Sequence, residues 1–367
     1  MLSPVSLTLV LAALRGNAWR DEVFAQEINN AFGWGTRLPL SIPARQLLAA
    51  FQEPAKGKPC YRLAPPLKSG CFTYVPEGTW ITNTLLYRST KTTKGPIDER
   101  FALDASNNFR FKFVNTGNSP PTREDLRRER KSMGVLPDMS PREKSGPDDV
   151  WISSGTHIQT AWRGNTFSMS TPHPGEFQTA SGQVKQVELI DSEMEQYLHA
   201  KTDTFEGVAL PCNSGYMIVV LPVLGKDIRE LERKLADHPE SLDAALQKQQ
   251  GNVTMPTFHI SFESDLNEPI KALGINGVFN DLGHLIKVPK SHLTKLAQRV
   301  DLEVDKNGIR ADAETVAGAV LGGIMSVERP FHMVLNRPFA FLIRDQTTNA
   351  LLFIGAVYGS PPEIKLR

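Results

Sequence analysis

The fold of this chain is decided by a stretch near its C-terminus, Arg337-Pro338-Phe339-Ala340-Phe341-Leu342-Ile343-Arg344-Asp345, followed by Leu352-Phe353-Ile354-Gly355. Two nearly continuous apolar runs, 338–343 and 351–358, lie on either side of a polar turn at 344–349. Strands that are buried on both faces are continuously apolar, whereas half-exposed strands alternate. The pattern therefore predicts a buried hairpin over 338–358, at the centre of a sheet.

The bulk composition bounds the class of protein. The 367-residue chain is 40% hydrophobic and 22% charged, with a net charge of +1. These values are typical of a globular protein. A net charge this close to zero predicts no binding to nucleic acid or to an anionic membrane surface. No apolar run reaches the roughly 18 residues that a membrane span needs, so we expect no membrane partner.

Three cysteines, Cys60, Cys71 and Cys212, are too few for a disulfide scaffold. Cys60 and Cys71 flank a segment rich in proline and glycine. A bond between them stays open, although two free thiols are the preferred interpretation. The apolar run at 7–14 is too short and too well capped for a clear signal peptide, so the residues alone do not identify the compartment.

The order of the predicted elements indicates the fold class. Ser3 and Pro4 begin a helix, because serine is a good N-cap and proline suits the first turn, and helices are predicted throughout residues 1–53. Residues 54–79 are predicted to be an irregular insertion, and 122–133 a charged helix. The other predicted elements are strands at 80–87, 109–114, 150–162, 184–189, 197–201, 206–211, 216–222 and 258–262, and helices at 227–235 and 268–273. Helices followed by many strands predict an α+β protein with large sheets.

Sequence signatures of catalysis are missing. The chain has no G-x-S-x-G elbow and no phosphate-binding loop, and Gly33-Trp34-Gly35 lacks the third glycine of a dinucleotide fingerprint. Its eight histidines show no metal-binding spacing, and His157, in a β-rich run, is interpreted as a core histidine. We therefore predict that the protein is not an enzyme and has no catalytic residue, no metal and no cofactor.

The segment from Val304 to Val327 alternates in character. Small or apolar residues stand at Ile309, Ala311, Ala313 and Thr315, and charged residues stand between them at Arg310, Asp312 and Glu314. Successive side chains of a strand point to opposite faces, so this segment, if extended, would have one buryable face and one wet face. Its glycines make a poor permanent strand. Two interpretations stay equally open. The segment is either an Ala-rich helix or plain linker, or a loop that can become a strand.

Residues 337–345 and 352–355 closely resemble the C-terminal signature of the serpins, N-x-P-F-x-F-x-I-R followed by L-F-x-G-x-V. Leu2–Leu7, Thr156–Trp162 and Pro256–Ile260 are similar to further serpin motifs. By this resemblance the chain is identified as a member of that family. The resemblance implies a single domain over 1–367 with an α+β serpin-like fold, large mixed β-sheets, a helical N-terminal part and a mobile reactive-centre loop. The family's first helix is expected to be missing.

The resemblance also implies a function. Serpins are suicide substrates, because a protease attacks their loop and the cleaved loop then inserts into the central sheet. The hinge and reactive-centre loop fall at 304–330. The hinge residues are Lys306, Gly308, Ile309, Arg310, Ala311, Ala313 and Thr315. The family pattern further implies a monomer, a serine protease (or else a cysteine protease) as the target, and an extracellular or periplasmic location.

The reactive bond is expected in the second half of that loop. Its candidate residues are Leu321, Gly322, Gly323, Met325 and Ser326. No Lys or Arg lies between Val316 and Val327, so a trypsin-like target is not expected. Leu or Met before the bond suits a chymotrypsin-, elastase- or subtilisin-like protease with an apolar primary pocket.

The hinge departs from the family pattern. Lys306 stands where inhibitors usually carry Glu, and Ile309 and Arg310 replace a small residue and a Glu. These departures favour an alternative, a non-inhibitory serpin that acts as a binding or chaperone-like module and is cleaved as a plain substrate.

Two polar regions of the central sheet also follow from the resemblance. In the shutter, beneath the sheet, Ser3 and Ser6 match the family, whereas Ser154 and Gln298 stand where it usually has Asn and His. The resemblance also assigns Trp162 to the region of the sheet called the breach.

Overall fold

The computed structural model describes residues 2–18, 23–34, 40–51, 60–62, 71–73, 78–87, 97–116, 149–164, 166–167, 169–238, 240–287, 291–310 and 329–359. The helices are α1 (Pro4–Asn17), α2 (Val23–Phe32), α3 (Ser41–Ala50), α4 (Glu99–Phe109), α5 (Ile228–Asp237), α6 (Glu240–Ala245) and α7 (Asn267–Ala272). Local sequence explains where several of them begin. Pro4 occupies the first turn of α1, and the Asp98 carboxylate accepts a backbone hydrogen bond from Arg100 at 3.0 Å at the start of α4.

The strands make up most of the remaining described chain. They are β1 (Cys60–Arg62), β2 (Cys71–Thr73), β3 (Gly78–Tyr87), β4 (Phe111–Asn115), β5 (Asp149–Ala161), β6 (His173–Gln178), β7 (Val184–Asp191), β8 (Glu195–Lys201), β9 (Phe205–Cys212), β10 (Gly215–Pro222), β11 (Gln247–Pro256), β12 (Phe258–Asp265), β13 (His292–Asp305), β14 (Gly308–Arg310), β15 (Phe331–Val334), β16 (Phe339–Asp345) and β17 (Leu351–Val357).

These strands form two large sheets and one small one. The six-stranded sheet has the order β12-β13-β14-β5-β3-β4, and β13 also pairs directly with β5. The nine-stranded sheet has the order β17-β16-β10-β9-β8-β11-β7-β6, with β15 paired to β11. Parallel pairing joins β13 to β5, β3 to β4 and β15 to β11, and the other pairs are antiparallel. The sheets are therefore mixed.

One apolar cluster joins both large sheets to α1. Val10 and Leu11 of α1 are completely buried in it. The Phe258 ring of β12 lies 5.6 Å from the Phe341 ring of β16, between ring centroids. The C-terminal hairpin therefore packs directly against the six-stranded sheet. α5 and α6 cover the other face of the nine-stranded sheet through a second cluster.

The predicted hairpin and the predicted fold class are confirmed, but the hairpin lies at one edge of the nine-stranded sheet and not at its centre, because β17 is the outermost strand. β16 pairs with β17 from Phe339 opposite Val357 to Arg344 opposite Leu351, and β16 lies inside the nine-stranded sheet. Mixed sheets and an N-terminal part made of helices give the expected α+β class.

Two predicted elements are wrong. The strand predicted at 109–114 begins only at Phe111, because Phe109 is the last residue of α4 and Arg110 ends that helix with a φ of 55°. Residues 54–79 are not wholly irregular, because β1 pairs with β2 and β3 already begins at Gly78. The charged helix predicted at 122–133 lies outside the described residues.

Two further predictions concern Cys and His residues. Cys60 stands opposite Thr73 and Cys71 opposite Arg62, so the disulfide between the two cysteines stays an open question. Cys212 is a free, buried thiol. The backbone of His157 lies in β5, and its side chain is outside what the structure describes.

Candidate functional site

The centre of the six-stranded sheet is split at one end. β5 and β13 pair in parallel as far as Thr156 opposite Val300. Beyond this pair the strands separate and β14 lies between them. Ile309 of β14 pairs with Thr160 on one side and Val304 on the other. The split end of the sheet therefore already holds one short strand from the segment that follows β13.

A tight turn brings β14 back into the sheet. The Asp305 carboxylate accepts hydrogen bonds from the backbone N–H groups of Asn307 at 2.7 Å and Gly308 at 3.2 Å. Gly308 has a φ of 152°, and a Cβ there would lie 2.2 Å from the carbonyl oxygen of Thr160. Both facts require glycine at this position. Lys306 is exposed at the tip of the turn.

Trp162 closes this end of the sheet. Its indole Nε1 donates to the Asp305 carbonyl oxygen at 2.7 Å, and its backbone N–H donates to the Asn307 carbonyl oxygen at 3.4 Å. Its ring lies 5.2 Å from that of Phe167 and is 6% exposed. Trp162 thus joins the end of β5 to the turn that delivers β14.

The predicted hinge residues fall partly within β14. Gly308 and Ile309 lie between β5 and β13, and Ile309 is completely buried. Arg310 stands opposite Glu303 of β13. Ala311, Ala313 and Thr315 lie outside the described residues, as do the reactive-bond candidates Leu321, Gly322, Gly323, Met325 and Ser326.

A polar layer lies beneath the paired part of β5 and β13. The Gln298 side-chain amide accepts from the Ser3 N–H at 2.8 Å. It donates to the Ser3 carbonyl oxygen and to the Ser6 hydroxyl, both at 2.7 Å. All three residues are at most 1% exposed. The start of α1 is therefore fastened to β13 by one amide whose donors and acceptor are all engaged.

Ser154 has a different hydrogen-bond partner, which lies on β3. The Ser154 hydroxyl donates to Asn83 on β3 at 2.6 Å, although Ser154 stands opposite Gln298 in register. Asn83 in turn donates to the carbonyl oxygen of Phe109 at the end of α4. Residue-based reasoning did not identify Asn83 or Thr156, whose hydroxyl lies 2.6 Å from that of Ser3. Thr156 lies two residues after Ser154 and so on the same face of β5, which is the signal that could have found it.

β15, which follows the predicted reactive-centre loop in the sequence, lies in the other large sheet, where it pairs with β11. Phe331, at the start of β15, stacks on the His199 ring with a centroid distance of 3.9 Å. A Cβ on Gly251 would lie 2.2 Å from the Phe331 ring, so only glycine leaves room for that ring. His199 lies 3.1 Å from the Glu206 carboxylate and 2.7 Å from the Gln249 side chain. The hydrogen bond between His199 and the Glu206 carboxylate is the largest cause of the lowered pKa of Glu206.

The described residues offer no group of three or more His, Cys, Asp or Glu side chains that could hold a metal ion. Burial raises the pKa of the Cys212 thiol to about 11, which leaves the thiol protonated and unreactive at neutral pH. Among the described helices, none has the length and apolar character needed to cross a membrane.

Comparison with known proteins agrees with this architecture. The model of the family described as Serpin (serine protease inhibitor) matches residues 135–360. Serpin-Z2A of Triticum aestivum is 27% identical over 247 residues, which are 62% of this chain and 61% of that protein. Serpin-Z7 of Hordeum vulgare is 27% identical over 219 residues, 56% of this chain and 54% of that protein. The chain thus spans less than two thirds of the length of these curated relatives.

Solved structures extend the similarity over nearly the whole chain. Native protease nexin-1 with heparin has a TM-score of 0.76 at 17% identity, covering 97% of this chain and 91% of that one. The thermophilic serpin tengpin has a TM-score of 0.75 at 19% identity, covering 98% and 88%. Such low identities show the fold alone. Together with the family model they establish the assignment: the chain belongs to the serpin family, whose members are generally protease inhibitors.

Proposed function

We propose that this chain is a suicide-substrate inhibitor of a serine protease with apolar primary specificity. The protease's nucleophile attacks the carbonyl carbon of the reactive bond and forms an acyl-enzyme ester. The peptide bond breaks, and the leaving amine takes the proton that the protease's base removed from the nucleophile. The cleaved loop then extends β14 and inserts along its length between β5 and β13. About 15 inserted residues would move the tethered protease by about 50 Å.

The observation that carries this proposal is the register of β5 and β13. Where the two strands pair directly, Thr156 stands opposite Val300. Where β14 separates them, Ile309 pairs with Thr160 of β5 and with Val304 of β13. Thr160 and Val304 each lie four residues after the directly paired Thr156 and Val300. From Lys295 opposite Trp151 up to the level of Ile309, the strands thus keep one offset with and without an intervening strand. Insertion therefore requires them to move apart sideways but not to slide.

The chemistry of the loop favours the same event. Continuing the alternation from Ile309, which is buried, puts Ala311 and Ala313 on the inner face, where no charge would have to be desolvated. Thr315 would reach the level of Ser154 and Gln298, so its hydroxyl would enter an existing polar layer. Insertion would replace the single ladder between β5 and β13 by two ladders, one on each side of the inserted strand.

The reactive-bond candidates favour an apolar primary pocket, as in chymotrypsin-, elastase- or subtilisin-like proteases, with a cysteine protease as the second option. The test is incubation with chymotrypsin and with elastase, followed by denaturing electrophoresis. A covalent complex that survives the detergent supports the proposal. Mass spectrometry of the released peptide should place the cut between Leu321 and Ser326. Cleavage only after Arg329, with no covalent complex, would contradict it.

A non-inhibitory role is the second candidate. Its support is the hinge, where Lys306 is exposed at the tip of the turn and Arg310 stands at the first position after Ile309. Thyroxine-binding globulin in complex with thyroxine has a similar fold, with a TM-score of 0.72 at 20% identity. Loop cleavage separates the two candidates. An inserting chain becomes much more stable to heat after cleavage, whereas a plain substrate does not.

A further inference from the structure

We infer that Asn307 is a site of spontaneous deamidation, and that the Asp305 carboxylate controls this reaction as long as β14 stays in the six-stranded sheet. The reaction replaces a neutral amide by a charged group in the turn that brings β14 into the sheet. The inference concerns the uncleaved chain alone, so it does not depend on the proposed inhibition of a protease.

The dipeptide Asn-Gly occurs twice in the chain, at Asn276-Gly277 and at Asn307-Gly308. An asparagine before glycine is prone to attack by the next backbone nitrogen, because glycine has no Cβ to hinder the approach. At the second site the Gly308 nitrogen bonds to the side-chain carbonyl carbon of Asn307. Its proton goes through solvent to the departing ammonia. Water then opens the cyclic imide and leaves an aspartyl or isoaspartyl residue, so the reaction consumes water, releases ammonia and needs no other reactant.

In the folded chain the attacking nitrogen of Gly308 is engaged in a hydrogen bond. The Gly308 N–H donates to one oxygen of the Asp305 carboxylate at 3.2 Å, and the Asn307 side-chain amide donates to the other oxygen at 3.1 Å. A charge-assisted hydrogen bond of this kind keeps the proton on the nitrogen and must break before the nitrogen can attack. Deamidation of Asn307 therefore requires the turn to open, and its rate depends on how often the turn opens.

The other Asn-Gly pair is protected by the same kind of bond from a different element. The Gly277 N–H donates to the Glu27 carboxylate of α2 at 2.6 Å, and the Asn276 N–H donates to the same oxygen at 2.8 Å. Gly277 also lies so close to α2 that a Cβ would be 2.8 Å from the Phe24 nitrogen. The two sites therefore have independent protection, and opening of the turn before β14 exposes Asn307 without exposing Asn276.

The deamidated residue no longer fits the turn. The Asn307 amide nitrogen, 3.1 Å from the Asp305 carboxylate, is replaced by an oxygen of a second carboxylate. Two carboxylates at this distance repel each other. An isoaspartyl residue also lengthens the backbone, whereas the Asn307 carbonyl is bonded to the Trp162 N–H and Gly308 lies against Thr160 with no room for a Cβ. Deamidation would thus turn a reversible opening of β14 into a lasting one.

The test is incubation of the full chain at mildly alkaline pH, followed by peptide mapping by mass spectrometry that follows the two Asn-Gly pairs separately. In Asp305→Ala, deamidation of Asn307 should be about ten- to a hundredfold faster than in wild type, because a hydrogen bond to a charged group is lost. Asn276 in the same digest is the internal control and should react at its wild-type rate. Glu27→Ala should give the converse pattern, with Asn276 accelerated and Asn307 unchanged.

The effect of the product on β14 is measured with Asn307→Asp. Hydrogen exchange at the Ile309 amide should be about tenfold faster than in wild type, because the two carboxylates of the turn repel each other. Gln183→Glu, which adds the same charge at an exposed position in the turn before β7, is the matched control and should leave that exchange rate unchanged.

Two results would overturn the inference. Equal deamidation rates of Asn307 in wild type and in Asp305→Ala would mean that the carboxylate does not control this site. Acceleration of Asn276 as well as Asn307 in Asp305→Ala would mean that the whole chain has loosened. Where Asp305→Ala does not fold, Asp305→Asn, which removes the charge and keeps the shape, takes its place in the same comparison. Wild-type exchange at Ile309 in Asn307→Asp would show that the modified turn still holds β14.

Discussion

Gly308 lies against the backbone of Thr160, so closely that a Cβ at position 308 would be 2.2 Å from the Thr160 carbonyl oxygen. This contact seats β14 between β5 and β13. Replacing Gly308 by Ala should therefore detach β14 as well as strain a backbone with a φ of 152°. We expect Gly308→Ala to lower the free energy of unfolding by about 2–4 kcal/mol, measured by urea denaturation. Hydrogen exchange at the Ile309 amide should become faster.

Gly182→Ala is the matched control for Gly308→Ala. Gly182 also has a positive φ, of 81°, but its added Cβ would meet no atom within 4 Å. This change should cost about 1–2 kcal/mol from the backbone conformation alone. Equal losses for the two variants would mean that the contact with Thr160 does not hold β14 in place.

Trp162→Phe tests the closure of the split end of the sheet. The change removes the indole N–H that donates to Asp305 at 2.7 Å, while an aromatic ring can still pack on Phe167. Trp151→Phe removes the same atoms from a buried indole whose Nε1 has no hydrogen-bond partner among the described residues. We expect Trp162→Phe to cost about 0.5–1.5 kcal/mol more than Trp151→Phe in thermal unfolding. An equal cost for the two variants would mean that the hydrogen bond from Trp162 to Asp305 does not stabilise the fold.

Gln298→Met tests the polar layer beneath the sheet. Methionine has a similar length but leaves the Ser3 N–H, the Ser3 carbonyl and the Ser6 hydroxyl without the Gln298 amide. These groups are buried, so we expect a loss of about 2–4 kcal/mol in the free energy of unfolding of the uncleaved chain. Gln186→Met, at an exposed position of β7, controls for the chemical change and should cost little. A loss no larger than that of the control would show that water or a neighbour replaces the amide.

These contacts mark the limit of what the residues alone could predict. The hairpin of β16 and β17 was predictable because continuous apolar character is a local signal. The strand predicted at 109–114 also rests on a local signal, but the left-handed backbone of Arg110 divides this segment into the end of a helix and the start of a strand. A single residue's conformation of this kind is set by tertiary contacts, here the Asn83 bonds to the end of α4.

β13 was missed for a related reason. Lys295, Gln298 and Arg299 interrupt its apolar positions, yet all three are at most 7% exposed because the strand lies inside the sheet. Family resemblance put Gln298 in the shutter, but its partners Ser3 and Ser6 are separated from it by 295 and 292 residues in sequence. No pattern within a window of residues carries that information.

The contact between Glu206 and His199, the ring on which Phe331 of β15 stacks, predicts how stability depends on pH in acid. The hydrogen bond from His199 lowers the pKa of Glu206, and nearby Lys201 contributes less. A carboxylate whose pKa is lower in the folded state stabilises the fold above its unfolded pKa, and this stabilisation is lost as the pH falls through the folded pKa. We therefore expect the free energy of unfolding to fall as the pH is lowered from the ordinary value of 4.5. Glu206→Gln should flatten that part of the profile. Glu230→Gln, on the exposed face of α5, should leave the profile as it is. Equally steep profiles for wild type and Glu206→Gln would show that another carboxylate governs acid unfolding. Phe331 would then be held by its stacking on His199 without help from the charge of Glu206.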